Sequence, residues 1–162
     1  MPVRGITNIF IQSTLSSLPL KHFDGVYSMD ELKLPLPKED FALVVNFSNK
    51  DEEGKHFVVL AQIGNCLILF DFLATPFIFL PTHLQTIMST YNGMFFFKYP
   101  IQDETSEYCG FYTMYFILYI NLLSKYKRLQ LSPVQFSVVQ LKRNDELCID
   151  LIARGMKSLI RK

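Results

Sequence analysis

Apolar positions in this chain cluster in short runs bounded by turn residues. FALVVNF (41–47), HFVVLAQ (56–62), CLILFDF (66–72) and MFFFKYP (94–100) are rich in β-branched and aromatic side chains, the signature of strands. Several of these runs are apolar at odd and even positions alike, so the sheet they build needs cover on both faces. The pattern predicts an α+β fold with a central, mostly antiparallel sheet flanked by helices. Helices are expected over 81–91, 109–125, 132–139 and 144–160, with a short one over 7–17 that stops before Pro19. On the last of these Cys148, Leu151, Ile152 and Leu159 share one stripe. KLPLP (33–37) reads as extended, because each proline restricts itself and its predecessor. The longest apolar run, 110–123, is shorter than the roughly 20 residues a membrane span needs, and reads as a buried core helix.

Composition narrows the class. The 162 residues suit one domain, 1–162, long enough to bury roughly two thirds of the unfolded surface in one core. Hydrophobic residues at 49% and charged residues at 19% exclude a disordered chain. Cys66, Cys109 and Cys148 are too few and too dispersed for a disulfide framework or a CxxC zinc site, so no metal is expected. The first ten residues lack the features of a signal peptide. A protein made in a reducing compartment, not secreted, not membrane-bound and monomeric is the expectation. The formal charge of +1 conceals an asymmetry: residues 1–123 carry 7 basic and 12 acidic side chains, net −5, and residues 124–162 carry 9 and 3, net +6. The basic segment suits weak contact with a nucleic-acid backbone, and equally a solvated helix face with cations near a helix C-terminus.

Chemistry can be sought among three histidines and three cysteines. Cys66, in a strand, and Cys148, on a helix stripe, read as small buried hydrophobes, and His22 and His83 as surface residues beside turns. Cys109 differs. DETSEYCGFYTMYF places a polar loop, with Thr105 or Ser106 as helix cap, just before an apolar helix, so Cys109 should lie in the first turn. Backbone amides at a helix start stabilise a thiolate and can bond a developing oxyanion. A base for such a nucleophile is offered by His56. A two-residue hairpin of type II′ with Gly64 and Asn65 central sets residue 71 opposite residue 58, and residues 56 and 58 share a face. Asp71 is then diagonal to His56, roughly 7–8 Å between backbones, where a carboxylate fixes the imidazole tautomer.

The run FDGVYSMDEL, FALVVNF, GKHFVVL, CLILFDFLATP, YPIQ and YCGFYTMYF resembles, in order and spacing over about residues 23–123, the adenovirus-type (adenain-like) cysteine proteases, relatives of the SUMO- and ubiquitin-like-protein proteases. The resemblance implies a variant of the papain-like superfold with the nucleophile at the N-terminus of a buried central helix. It implies His56 as general base, Asp71 as its orienting acid, Cys109 as nucleophile and Gln102 as the oxyanion-hole side chain. Gly110 fits the small residue that follows the family's cysteine, and Asn46 matches a recurrent cleft asparagine. Phe57 departs from the tryptophan that many relatives carry after the histidine.

What the resemblance implies about function is a cysteine endopeptidase that cuts next to Gly in capsid or core precursors of a virus or virus-like element. Its substrates are polypeptides with Gly-containing sites, and its place is the host cytoplasm or nucleus, or the virion. No cofactor is needed for the chemistry; the family's activators are a short peptide and DNA. Cys66 and Cys148 do not match the place of the cysteine to which that peptide attaches. Two other readings stand beside it: a deconjugating protease for a ubiquitin-like modifier, and a catalytically silent binding module on the same fold.

Overall fold

A computed structural model describes residues 7–52, 54–126 and 141–160. Its order is α1 (Asn8–Ser16), β1 (Phe23–Ser28), β2 (Phe41–Asn46), β3 (Phe57–Ile63), β4 (Cys66–Phe70), α2 (Thr82–Thr90), β5 (Met94–Phe95), α3 (Cys109–Tyr126) and α4 (Leu141–Ile160), with a 3₁₀ turn at Phe77–Phe79. The five strands form one sheet in sequence order. The fold is α+β, but the sheet is mixed rather than mostly antiparallel: β2, β3 and β4 pair antiparallel, while β1 and β5 join the two edges in parallel. β1 was not marked by alternating hydrophobicity. Its ladder shifts register between Phe23 and Gly25, where Gly25 takes a φ of +131° that other residues rarely adopt.

Why the central strands are apolar throughout is clear from the two cores. Ala42, Val44, Val59, Ala61 and Phe70 face one layer with Ile11 and Leu15 of α1, Tyr112, Phe116 and Ile117 of α3, and Cys148 and Ile152 of α4. Phe41, Leu43, Val45, Val58, Leu60 and Leu69 face the other, closed by Leu84, Ile87 and Met88 of α2 and by Met29, Leu32 and Leu36 of the β1–β2 connection. Each large side chain so buried contributes about 1.5–3 kcal/mol. The covered sheet thus follows from the strand pattern.

One strand end, one helix cap and the burial of three side chains differ from the pattern expected from the sequence. The run 94–100 forms only two residues of strand. After Phe96 N–H bonds Leu69 C=O at 2.9 Å the chain leaves the edge, and Phe96 and Phe97 pack onto Phe116 instead. Cys66 is exposed at the hairpin tip rather than buried. His22 and His83 are half-buried rather than on the surface. His83 Nε2 lies 2.7 Å from Leu32 O, and the His22 amide donates to Asn121 Oδ1 at 3.0 Å. The Phe111 and Tyr112 amides of α3 bond the Tyr108 carbonyl, at 2.9 and 3.1 Å, so the cap residue is Tyr108, neither Thr105 nor Ser106. The helix expected over 132–139 lies outside the described residues. Among the described residues no helix is long and apolar enough to cross a membrane.

Candidate functional site

His56 immediately precedes β3 and Asp71 immediately follows β4. The hairpin between these strands turns with Ile63 opposite Cys66, and Gly64, at φ +60°, is left-handed while Asn65 is not, as a type II′ turn requires. Val59 pairs with Phe70. One further step sets position 58 opposite 71, which brings Asp71 diagonally across from His56 as the spacing predicts.

The side chains close that gap: His56 Nε2 lies 2.7 Å from Asp71 Oδ1. Asp71 ends its strand in a tight turn in which its own carboxylate accepts from the Leu73 amide at 3.0 Å and the Thr75 amide at 3.1 Å, and Ala74 is left-handed at φ +49°. An aspartate that satisfies backbone amides two and four residues ahead holds itself in place before any histidine arrives. Burial pushes the Asp71 carboxyl up, but the His56 contact and these amides prevail and hold it below its ordinary value.

His56 is buried. Burial opposes its protonation, yet the Asp71 hydrogen bond and charge, together with a hydrogen bond and charge contact from Cys109, raise its pKa from 6.5 to about 9. Nε2 faces Asp71, which leaves Nδ1 as the ring nitrogen that Asp71 does not occupy. Phe47 packs edge-on against the imidazole, with ring centroids 5.1 Å apart at 89°, and fixes its plane.

Cys109 is half-buried and is the first residue of α3. The position of that helix along the sheet is set by an aromatic stack beneath it: Phe72 lies 5.3 Å from both Tyr112 and Phe116, and Phe116 5.2 Å from Phe70. Pairs of this kind contribute about 0.5–1.5 kcal/mol each beyond their burial. They seat α3 against the end of β4 and the residue that follows Asp71.

Gln102 is buried. The amides of Ile101 and Gln102 both donate to the Phe72 carbonyl, at 2.9 and 3.1 Å, directly after Asp71. The side-chain Nε2 donates to Ser106 O at 2.9 Å with one of its two hydrogens, while Oε1 is buried without a partner among the described residues. A buried unsatisfied oxygen costs about 1–3 kcal/mol. His56, Gln102 and Cys109 line one cleft of about 1400 Å³, with Asp71 behind His56.

Asn46, for which the sequence offered no role, joins this wall to α1. It is buried, donates from Nδ2 to Asn8 Oδ1 at 3.0 Å and accepts the Ser48 amide at 3.0 Å. Phe57 lies buried beside it in the α3-side core.

The sequence reading missed the residues that hold the 101–108 loop from behind. Asn144 Nδ2 donates to Ile101 O at 2.7 Å, and Asp145 accepts from Ser106 Oγ at 2.8 Å and Tyr112 OH at 2.9 Å. No periodicity could have announced them, because their partners lie more than 30 residues away. The Asp71 turn, by contrast, has a local signal that could have found it, an aspartate in DFLAT able to accept from amides just ahead of it in the chain.

An imidazole held by a carboxylate, with a thiol, a helix start and a buried amide on the same cleft, can move a proton to and from sulfur and stabilise negative charge on an oxygen. Among the described residues no group of three or more His, Cys, Asp or Glu side chains is placed to hold a metal ion. Comparison with protein-family models and with curated proteins finds no match for this chain.

Proposed function

We propose that this protein is a cysteine endopeptidase of the papain-like superfold, acting through His56, Asp71 and Cys109 with Gln102 in the oxyanion hole, on bonds next to Gly in structural precursors of a virus or virus-like element. The observation that carries the reading is the 2.7 Å contact between Asp71 Oδ1 and His56 Nε2, with Cys109, at the start of α3, lining the same cleft as the imidazole. The substrate class rests on the resemblance in sequence.

In this reading the Cys109 thiolate adds to the peptide carbonyl, forming the C–S bond and placing negative charge on oxygen. The Cys109 amide and the second Nε2 hydrogen of Gln102 donate to that oxygen. The imidazolium gives its proton to the leaving amine as the C–N bond breaks. His56, now neutral, takes a proton from water, whose oxygen displaces sulfur from the thioester. Asp71 keeps one ring orientation and stabilises the cation throughout.

The test is hydrolysis of Gly-rich peptides and of co-encoded structural proteins by the wild type and by Cys109→Ala and His56→Ala. Cleavage lost in both variants and retained in Cys66→Ala supports the proposal. Cleavage that survives Cys109→Ala overturns it. Capture of an electrophile-tagged ubiquitin-like modifier by Cys109, with no cutting of structural proteins, would move the activity to deconjugation.

A further inference from the structure

The loop that carries Gln102 is not held by its own backbone alone. Ser106 stands at its centre: its carbonyl accepts from Gln102 Nε2 at 2.9 Å, its hydroxyl oxygen accepts the Tyr108 amide at 3.3 Å just before Cys109, and the hydroxyl proton goes to Asp145 Oδ2 at 2.8 Å. The second Asp145 oxygen accepts from Tyr112 OH on α3 at 2.9 Å, and its neighbour Asn144 holds the start of the loop through Ile101 O at 2.7 Å. Asn144 is buried on α4 in line with Cys148 and Ile152, the residues that seat this helix in the core. The Gln102 amide therefore takes its orientation from a carbonyl whose position is set by a carboxylate on another helix.

We infer that Asp145 and Ser106 are positioning residues for the proposed hydrolysis: α4, through Asp145, locks Ser106 and so aims the Gln102 amide at the oxygen that becomes charged. This rests on the reading of the site as a peptidase. A donor displaced by about 1 Å from a developing oxyanion loses most of its effect, whereas the thiol and imidazole need no such donor to react with an alkylating agent.

The experiment compares peptide hydrolysis with alkylation of Cys109 by iodoacetamide, in wild type, Ser106→Ala, Asp145→Ala and Asp145→Asn, with melting temperatures measured for each. The expected result is a fall in kcat of about 10- to 100-fold for Ser106→Ala and Asp145→Ala, with KM within about twofold and Cys109 alkylation within about twofold of wild type. Asp145→Asn, which keeps an acceptor oxygen, recovers most of the loss. Should Asp145→Ala fail to fold, Ser106→Ala decides, since it leaves the packing of α4 on α3 untouched. Unchanged kcat in Ser106→Ala against an active wild type overturns the inference and leaves the peptidase reading standing, as does a loss of kcat matched by an equal loss of alkylation. A wild type with no Cys109-dependent hydrolysis overturns the peptidase reading itself, and this inference with it.

Discussion

Asp71 meets His56 at 2.7 Å with two backbone amides already bonded to the same carboxylate. The aspartate is thereby a fixed acceptor, and the histidine is the group that responds to pH. The direction of each shift sets the stability profile. The His56 pKa is raised from 6.5 to about 9, so its contribution is complete below about pH 6.5 and is lost as pH rises through about 9. Asp71 is held below its ordinary value of 3.8, so its contribution is present above about pH 4 and is lost as pH falls through the lowered folded value. The unfolding free energy from urea titrations between pH 6 and 10 should fall in the wild type by up to about 3 kcal/mol relative to His56→Gln, in which this component is absent. Parallel profiles for the two proteins would show that His56 does not gain its proton on folding.

The three thiols differ in exposure and neighbourhood, and labelling should separate them. Cys66 is exposed, Cys109 is half-buried on the cleft that His56 lines, and Cys148 is buried. In the native protein iodoacetamide should modify Cys66 and Cys109 and spare Cys148, as read by peptide mass analysis. His56→Ala should slow Cys109 at neutral pH by about tenfold or more, because the charge beside the sulfur is gone, while Cys66 keeps its rate. A Cys109 rate indifferent to His56 would separate the two groups.

Gln102 should act on turnover more than on binding. Gln102→Ala removes one donor to the oxyanion and is expected to lower kcat about 10²- to 10³-fold with little change in KM. Peptide kinetics beside Cys109 alkylation checks this. A loss expressed wholly in KM would assign Gln102 to substrate binding instead.

Asn46 should be a residue of stability. Its side chain satisfies the Ser48 amide and reaches Asn8, whose own Nδ2 donates to Ser28 Oγ at 3.3 Å. Asn46→Ala leaves a buried amide without its acceptor and is expected to cost about 1–3 kcal/mol, with faster amide hydrogen exchange in α1. Unfolding midpoints and exchange rates are the measurements; protection of α1 equal to wild type would show that Asn46 does not anchor it.

The two-faced strands, the buried helix after Cys109 and the pairing of His56 with Asp71 were legible because each rests on local geometry. Side chains alternate in a strand, and a two-residue turn fixes which residues meet across it. β1 and the shortened β5 were not, because both join the sheet in parallel and long connections impose no register. The cap of α3 was misplaced for a related reason. Ser106 has the side chain of a cap, but it is drawn to Asp145 while Tyr108 takes the cap position.

The amino-acid sequence by itself determined which residues can do chemistry and the one hairpin that brings a histidine and an aspartate together, since turn type and alternation act over a few residues. Only the tertiary structure decided that Cys109 lines the same cleft as His56. That depends on the Phe72, Tyr112 and Phe116 stack that sets the position of α3 along the sheet, and the orientation of Gln102 depends on Asn144 and Asp145 from α4. These are contacts between elements far apart in the chain, where side-chain packing and hydrogen bonding, rather than backbone periodicity, determine what meets what.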